Sequence, residues 1–326
     1  TEAPALPATN MAVRCYNDMF CECASLKEAP ELPATILATE CYSGMFSHCI
    51  SLTAAPQLPA TNMAVRCYNN MFLHCISLTE TPKLIATVLD TSCYSDMFYG
   101  CSSLMNAPEL PATTLSPSCY AGMFGECTSL TKAPELPAIT LKEYCYYGLF
   151  RECSSLTQAP ELPATTLAEE CYGVMFSGCM SLTEAPELPA TELANACYRW
   201  MFSKCASLTT APELPATELV EECYDGMFFE CENLNYIKVG VMSLDNNFEY
   251  GATSDWVFGV NGPGVFIFPC GSTYDKHGVS EVPNNFEILR GPVTVIFQNP
   301  DSTVLWKETI NCNEVPEYKG ETPTMG

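Results

Sequence analysis

Cys171-Tyr172-Gly173-Val174-Met175-Phe176-Ser177-Gly178-Cys179-Met180-Ser181-Leu182-Thr183-Glu184-Ala185-Pro186-Glu187-Leu188-Pro189-Ala190-Thr191 is one copy of a unit that recurs along most of the chain. Its first cysteine falls at Cys15, Cys41, Cys67, Cys93, Cys119, Cys145, Cys171, Cys197 and Cys223, always 26 residues apart. A second cysteine stands eight positions after each, from Cys23 to Cys231. A fixed period of this length, with neither insertion nor deletion, is the signature of a solenoid built from stacked coils.

Within one unit, Leu167, Cys171 and Met175 stand at i, i+4 and i+8, with Tyr172 and Phe176 beside them. That spacing predicts a short helix with one apolar face, capped by Thr165 or Thr166 and favoured by Glu in its first turn. The stretch Ser181 to Leu188 predicts a short extended segment with Leu182, Ala185 and Leu188 inward, and its prolines limit it to a few ladder bonds. Neither element buries a core alone, whereas stacked copies cover one another. The expected fold is an α/β solenoid: a right-handed leucine-rich-repeat-like superhelix of about nine to ten coils, each a short helix plus a short parallel strand, closed by a β-rich C-terminal cap. At about 4.8 Å per coil, nine coils span roughly 45 Å.

The residues Met123-Phe124-Gly125-Glu126-Cys127-Thr128-Ser129-Leu130-Thr131 resemble the signature of BspA-like leucine-rich repeats, and the whole unit resembles the bacterial surface-protein repeat of this length across residues 1–238. The additional column that begins at Cys15 and the Ala-Pro-Glu-Leu-Pro-Ala segment depart from the commoner family unit. The resemblance implies a secreted or cell-surface bacterial protein, with adhesion to a host or environmental protein or glycan as its role. Thr1-Glu2-Ala3-Pro4 repeats Thr183-Glu184-Ala185-Pro186, which predicts that the chain starts inside a repeat, with any export signal or anchor lying upstream.

Three parts are expected. Residues 1–238 form the solenoid. Residues 239–290 form a cap, with β-type segments at Trp256 to Val260, Gly264 to Phe268 and Val282 to Phe286. Residues 291–326 read as the start of a further β module or a tail, because Val293-Thr294-Val295-Ile296-Phe297 opens a new alternating pattern after Gly291-Pro292.

A formal charge of −24, from 38 acidic and 14 basic residues, argues against nucleic acid and anionic lipid as partners. No apolar run approaches the roughly 20 residues of a membrane-spanning helix. The 21 cysteines have two readings. Export would suit a disulfide framework. On a continuous helix, however, residues eight apart lie about 12 Å from each other, beyond disulfide reach, which favours ladders of buried thiols unless the helix ends early, around Phe176. Only Cys21, Cys270 and Cys312 stand outside the columns. Zinc is disfavoured by the seven intervening residues and by having only His48, His74 and His277, so no metal or other cofactor is expected.

Enzyme motifs are missing, and identical coils cannot give paired carboxylates the different environments of an acid and a base. Asp255, Cys270, Asp275 and His277 cluster in sequence but fall in turn-rich segments, so the chain is not expected to be an enzyme. The acidic column of Glu31, Glu109, Glu135, Glu161, Glu187 and Glu213 is either a stripe for a basic ligand or a solvated face. Among positions that differ between coils, Tyr147, Arg151, Trp200 and Phe229 are the candidates for ligand contact, being residue types enriched at binding hot spots; drift on an exposed face is the competing explanation. A spacer that holds a distal module off the cell is the alternative to binding.

Overall fold

The computed structural model describes residues 3–246, 248–291, 293–298, 304–310 and 312. The repeat is one coil. Parallel bridges join equivalent residues of successive units, from Glu28 to Ala54 to Glu80 and from Asn106 through Lys132 and Gln158 to Glu184. Leu182 and Leu188 are buried and Ala185 is half-buried, as the extended segment requires. Single bridges replace the expected strand because each coil's prolines have no N–H to donate.

The expected helix does not form; among the described residues there is none. Its place is taken by a chain of four-residue turns. Cys171, Gly173, Met175, Ser177 and Cys179 each donate their N–H to the carbonyl three residues back, at 3.0–3.2 Å. The residues between them donate to the next coil instead: Tyr172 to Cys197 O, Val174 to Arg199 O, Phe176 to Met201 O and Gly178 to Ser203 O. Alternate amides thus serve the turn and the stack, and this wall of the coil pairs with its neighbour as a strand would. The backbone makes room by entering the left-handed region at every fourth residue, with φ of 51° at Glu170, 47° at Val174 and 78° at Gly178. Such values strain a non-glycine residue by about 1 kcal/mol, which the inter-coil hydrogen bonds help to offset.

A four-residue period turns the same pairs of side chains inward at every turn. Tyr94 stacks on Tyr120 at 5.8 Å and Phe98 on Phe124 at 5.9 Å, with ring planes within 4° of parallel. Similar stacks run from Tyr16 to Tyr224 and from Phe20 to Phe228. Offset stacking of this kind adds about 0.5–1.5 kcal/mol per pair to simple burial. The two cysteine columns lie in the same interior, and every member from Cys41 to Cys231 is a buried free thiol. Second-column thiols tie one coil to the preceding one: Cys127 Sγ–H donates to Phe98 O at 3.2 Å and Cys153 to Phe124 O at 3.0 Å. Burial pushes the Cys153 and Cys231 thiols up to about 12.

Both aromatic ladders end on one side chain. Trp256, fully buried, lies 6.2 Å from Tyr224 and 6.1 Å from Phe228, and its Nε1–H donates to Glu281 O at 2.7 Å. Residues 256–260, expected as β, continue the turn chain: Phe228 and Glu230 donate to Trp256 O and Phe258 O. The extended side also continues, as a parallel sheet in the order β1 (Tyr236–Lys238), β2 (Gly264–Phe268) and β3 (Phe286–Arg290). Strands β4 (Val293–Gln298) and β5 (Val304–Ile310) pair antiparallel. A disulfide joins Cys270 to Cys312, with Cα atoms 5.1 Å apart. Of the expected module, residues 292, 299–303, 311 and 313–326 lie outside the described residues.

Candidate functional site

Two surfaces of the coil carry the residues singled out from the sequence. The first is built by Ala-Pro-Glu-Leu-Pro. Leu110, Leu136, Leu162 and Leu188 are buried and anchor the segment, the flanking prolines fix its backbone, and the glutamate between Pro and Leu is left facing water. Glu31, Glu109, Glu135, Glu161, Glu187 and Glu213 are all exposed. Between successive segments the wall is hollowed. A depression of about 400 Å³ lies between residues 106–111 and 132–137, one of about 360 Å³ between 132–137 and 158–163, and one of about 480 Å³ between 159–163 and 186–189. The first two share Pro134 and Glu135 and the last two share Pro160 and Glu161, so they form one groove with proline ridges and a carboxylate on each coil. Glu213 pairs with Lys238 at 2.7 Å; among the described residues Glu109, Glu135, Glu161 and Glu187 form no ion pair.

The second surface is the outer side of the turn chain, where coils differ most. Tyr147 is exposed, 5.8 Å from Tyr144, and leans over Gly173, where a Cβ would meet its ring at 2.8 Å. Arg151 is exposed. Trp200 is half-buried: its Nε1–H donates to Asp225 at 3.1 Å, its ring covers Gly226, and Phe229 lies 4.9 Å away. Phe229 in turn stacks on Phe258 at 4.9 Å. The structure therefore brings Trp200 and Phe229 together and leaves Tyr147 two coils away. The ring faces of Trp200 and Phe229 are occupied by neighbours within the chain, which leaves mainly edges to a ligand.

The leaning of large groups over glycine is general on this surface. Asp18 lies over Gly44, His74 over Gly100, Asp96 over Gly122, Tyr99 over Gly125, Glu152 over Gly178 and Trp200 over Gly226, always one coil apart. A large residue followed 26 positions later by glycine was visible in the sequence but carried no signal until the coils were stacked. Also unforeseen is Arg199, whose Nε donates to Asp225 at 2.9 Å while its Nη1 lies 3.5 Å from Glu170 and 3.4 Å from Glu222. Burial raises the Glu170 carboxyl above its ordinary value, and Arg199 opposes that shift. The sequence cluster of Asp255, Cys270, Asp275 and His277 is committed elsewhere in part. Cys270 is in the disulfide and His277 Nδ1 is bonded to Pro283 O at 3.0 Å.

The pattern described as the BspA type leucine rich repeat region, six copies, matches residues 9–131, 68–191 and 120–250. The chain belongs to this family. Members are associated with bacterial surfaces, leucine-rich repeats generally mediate protein interactions, and the family is typically non-enzymatic. No curated protein and no solved structure gives a significant match to the chain. Among the described residues no helix is long and apolar enough to cross a membrane.

Proposed function

We propose that this BspA-type repeat chain is a secreted or cell-surface bacterial binding protein, and that its proline–glutamate groove is the face that meets a host or environmental protein. The carrying observation is the groove over residues 106–189, which presents prolines and a carboxylate on every coil, with Lys132 the one cation among the described residues that line it. Rigid proline ridges cost little entropy to order, and carboxylates about 5 Å apart suit an extended segment bearing Lys or Arg. A glycan fits this face less well, because the groove offers no aromatic face for a sugar ring. The Cys270–Cys312 disulfide supports an oxidising, extracellular setting. In this reading residues 1–238 are the binding solenoid, 239–290 close its end, and 291–326 begin a further β module.

The test is binding of an extended Lys/Pro-rich peptide of about twelve residues, long enough to span four coils. Replacing Glu109, Glu135, Glu161 and Glu187 together by Gln leaves a folded protein and weakens binding about tenfold or more at physiological salt, with a shallower salt dependence. Equal affinity for both proteins would refute the groove.

One observation favours the spacer alternative. The large-over-glycine pairs show coil-to-coil variation used up in stacking. A spacer predicts that removing whole coils leaves surface display unimpaired apart from reach.

A further inference from the structure

Two of the chain's three histidines occupy the same position of successive coils. His48 is exposed and His74 half-buried, and their ring centroids are 5.0 Å apart with planes tilted by 50°. In the interior, rings one coil apart lie closer to parallel, within about 12° for Tyr68 on Tyr94 and Phe72 on Phe98. The tilt places the pair outside simple stacking. His74 can settle there because position 100 is glycine; its Nδ1 would collide with any Cβ at that residue.

We propose that His48 and His74 form a two-imidazole surface site for a borderline divalent cation of the Zn²⁺, Ni²⁺ or Cu²⁺ class. An ion held about 2.0–2.1 Å from one nitrogen of each ring lies about 3.2 Å from each ring centroid. For centroids 5.0 Å apart the angle at the ion is then about 100°, near the tetrahedral value. The hydroxyl of Ser47, itself buried, lies 2.8 Å from His48 Nδ1. When it accepts from Nδ1–H, the Nε2 lone pair is free for a metal, which is how ligating imidazoles are normally oriented. Glu22 occupies the equivalent position one coil earlier, and Asp18 lies over Gly44 on the same side of the coil, so the local field attracts cations. Among the described residues no set of three or more His, Cys, Asp or Glu is placed to hold a metal ion. The site is therefore a half-shell, with its other positions filled by water or by a donor from a second molecule. Arg14 and Arg66, the arginines of these coils, are paired with Glu40.

The test uses Ni²⁺, which suits imidazole without oxidising thiols. The accessible thiols of Cys15, Cys21 and Cys23 are first alkylated under native conditions, since they would bind the ion themselves. Calorimetric titration of this protein is expected to show one equivalent bound. His48→Ala and His74→Ala each weaken binding by more than about tenfold, His48→Gln does the same while preserving the polar surface, and His277→Ala leaves it unchanged. Absence of binding after alkylation, binding unaltered in the His48→Ala/His74→Ala double variant, or loss in His277→Ala would each overturn the site. None of these outcomes bears on the groove, which lies on another face.

Discussion

Raising the pH should unfold this protein abruptly, because its interior holds sixteen free thiols in two columns. An exposed thiol has an ordinary pKa of 9.0; burial pushes Cys67, Cys101, Cys153 and Cys231 up to about 12, with Cys41 and Cys49 at about 11. The folded value lies above the unfolded one. The stabilisation is therefore fully present below about pH 9 and is lost as the pH climbs toward 12. At pH 10 the unfolded state has released most of each proton while the folded state has kept it, a loss on the order of 1 kcal/mol per thiol. Over sixteen thiols this reaches on the order of 20 kcal/mol, comparable with the roughly 15–45 kcal/mol expected for a chain of this size. The midpoint should fall between about pH 9.5 and 11. Emission from buried Trp256 and size-exclusion chromatography, under argon with a chelator, follow the transition with and without a phosphine reductant. A protein that stays compact at about pH 11.5 in both conditions would refute the reasoning. Alkali sensitivity only after reduction would refute it differently, since disulfides do not titrate and the columns would then be bridged.

Trp256→Ala removes the ring that ends both aromatic ladders and orphans Glu281 O, at about 3–5 kcal/mol. Since each coil contacts only its neighbours, the loss should be local. Hydrogen exchange of the Tyr224, Gly226 and Phe228 amides accelerates about 10²- to 10³-fold, while Tyr94 and Phe98 keep their protection; uniform loss along the chain would contradict nearest-neighbour stacking. Arg199→Ala leaves Glu170, Glu222 and Asp225 facing one another and should lower the denaturation free energy by about 1–2 kcal/mol. With Arg199 gone, burial of the raised Glu170 carboxyl favours its protonated form, a stabilisation present at low pH and lost as the pH rises. The gap between variant and parent should therefore narrow from pH 7 to pH 5, and a constant gap in urea titrations at the two pH values would show that Glu170 does not feel Arg199.

The period, the family and the inward columns were legible in the sequence, because a repeat without insertions forces equivalent residues to stack. The helix was misread for a physical reason. Side chains at i, i+4 and i+8 lie on one face both of an α-helix and of a chain of four-residue turns. The discriminating signal was the position three residues after the first cysteine of each unit: Asp18, Gly44, Asn70, Asp96, Gly122, Gly148 and Gly226, interrupted by Val174 and Trp200. Glycine, asparagine and aspartate are the residues that accept positive φ, and these positions have it. Of the candidate residues, the glutamate column could be placed outward from its position between proline and leucine. Trp200 and Phe229 looked like free hot spots because their contacts, Gly226, Asp225 and Phe258, lie on the next coil, 25 to 29 residues away in sequence. Three histidines in the whole chain give no metal signal by number, whereas stacking brings His48 and His74 side by side.

The large-over-glycine pairs also bear on how such a gene can change length. Near-identical coils invite unequal recombination, which deletes or duplicates whole units while keeping the reading frame. Excising residues 148–173 would bring Arg199 rather than Gly173 beneath Tyr147, where the ring leaves no room for a Cβ. Junctions at such pairs are thereby selected against, and coil number can drift only where the residues facing each other across the new junction still match.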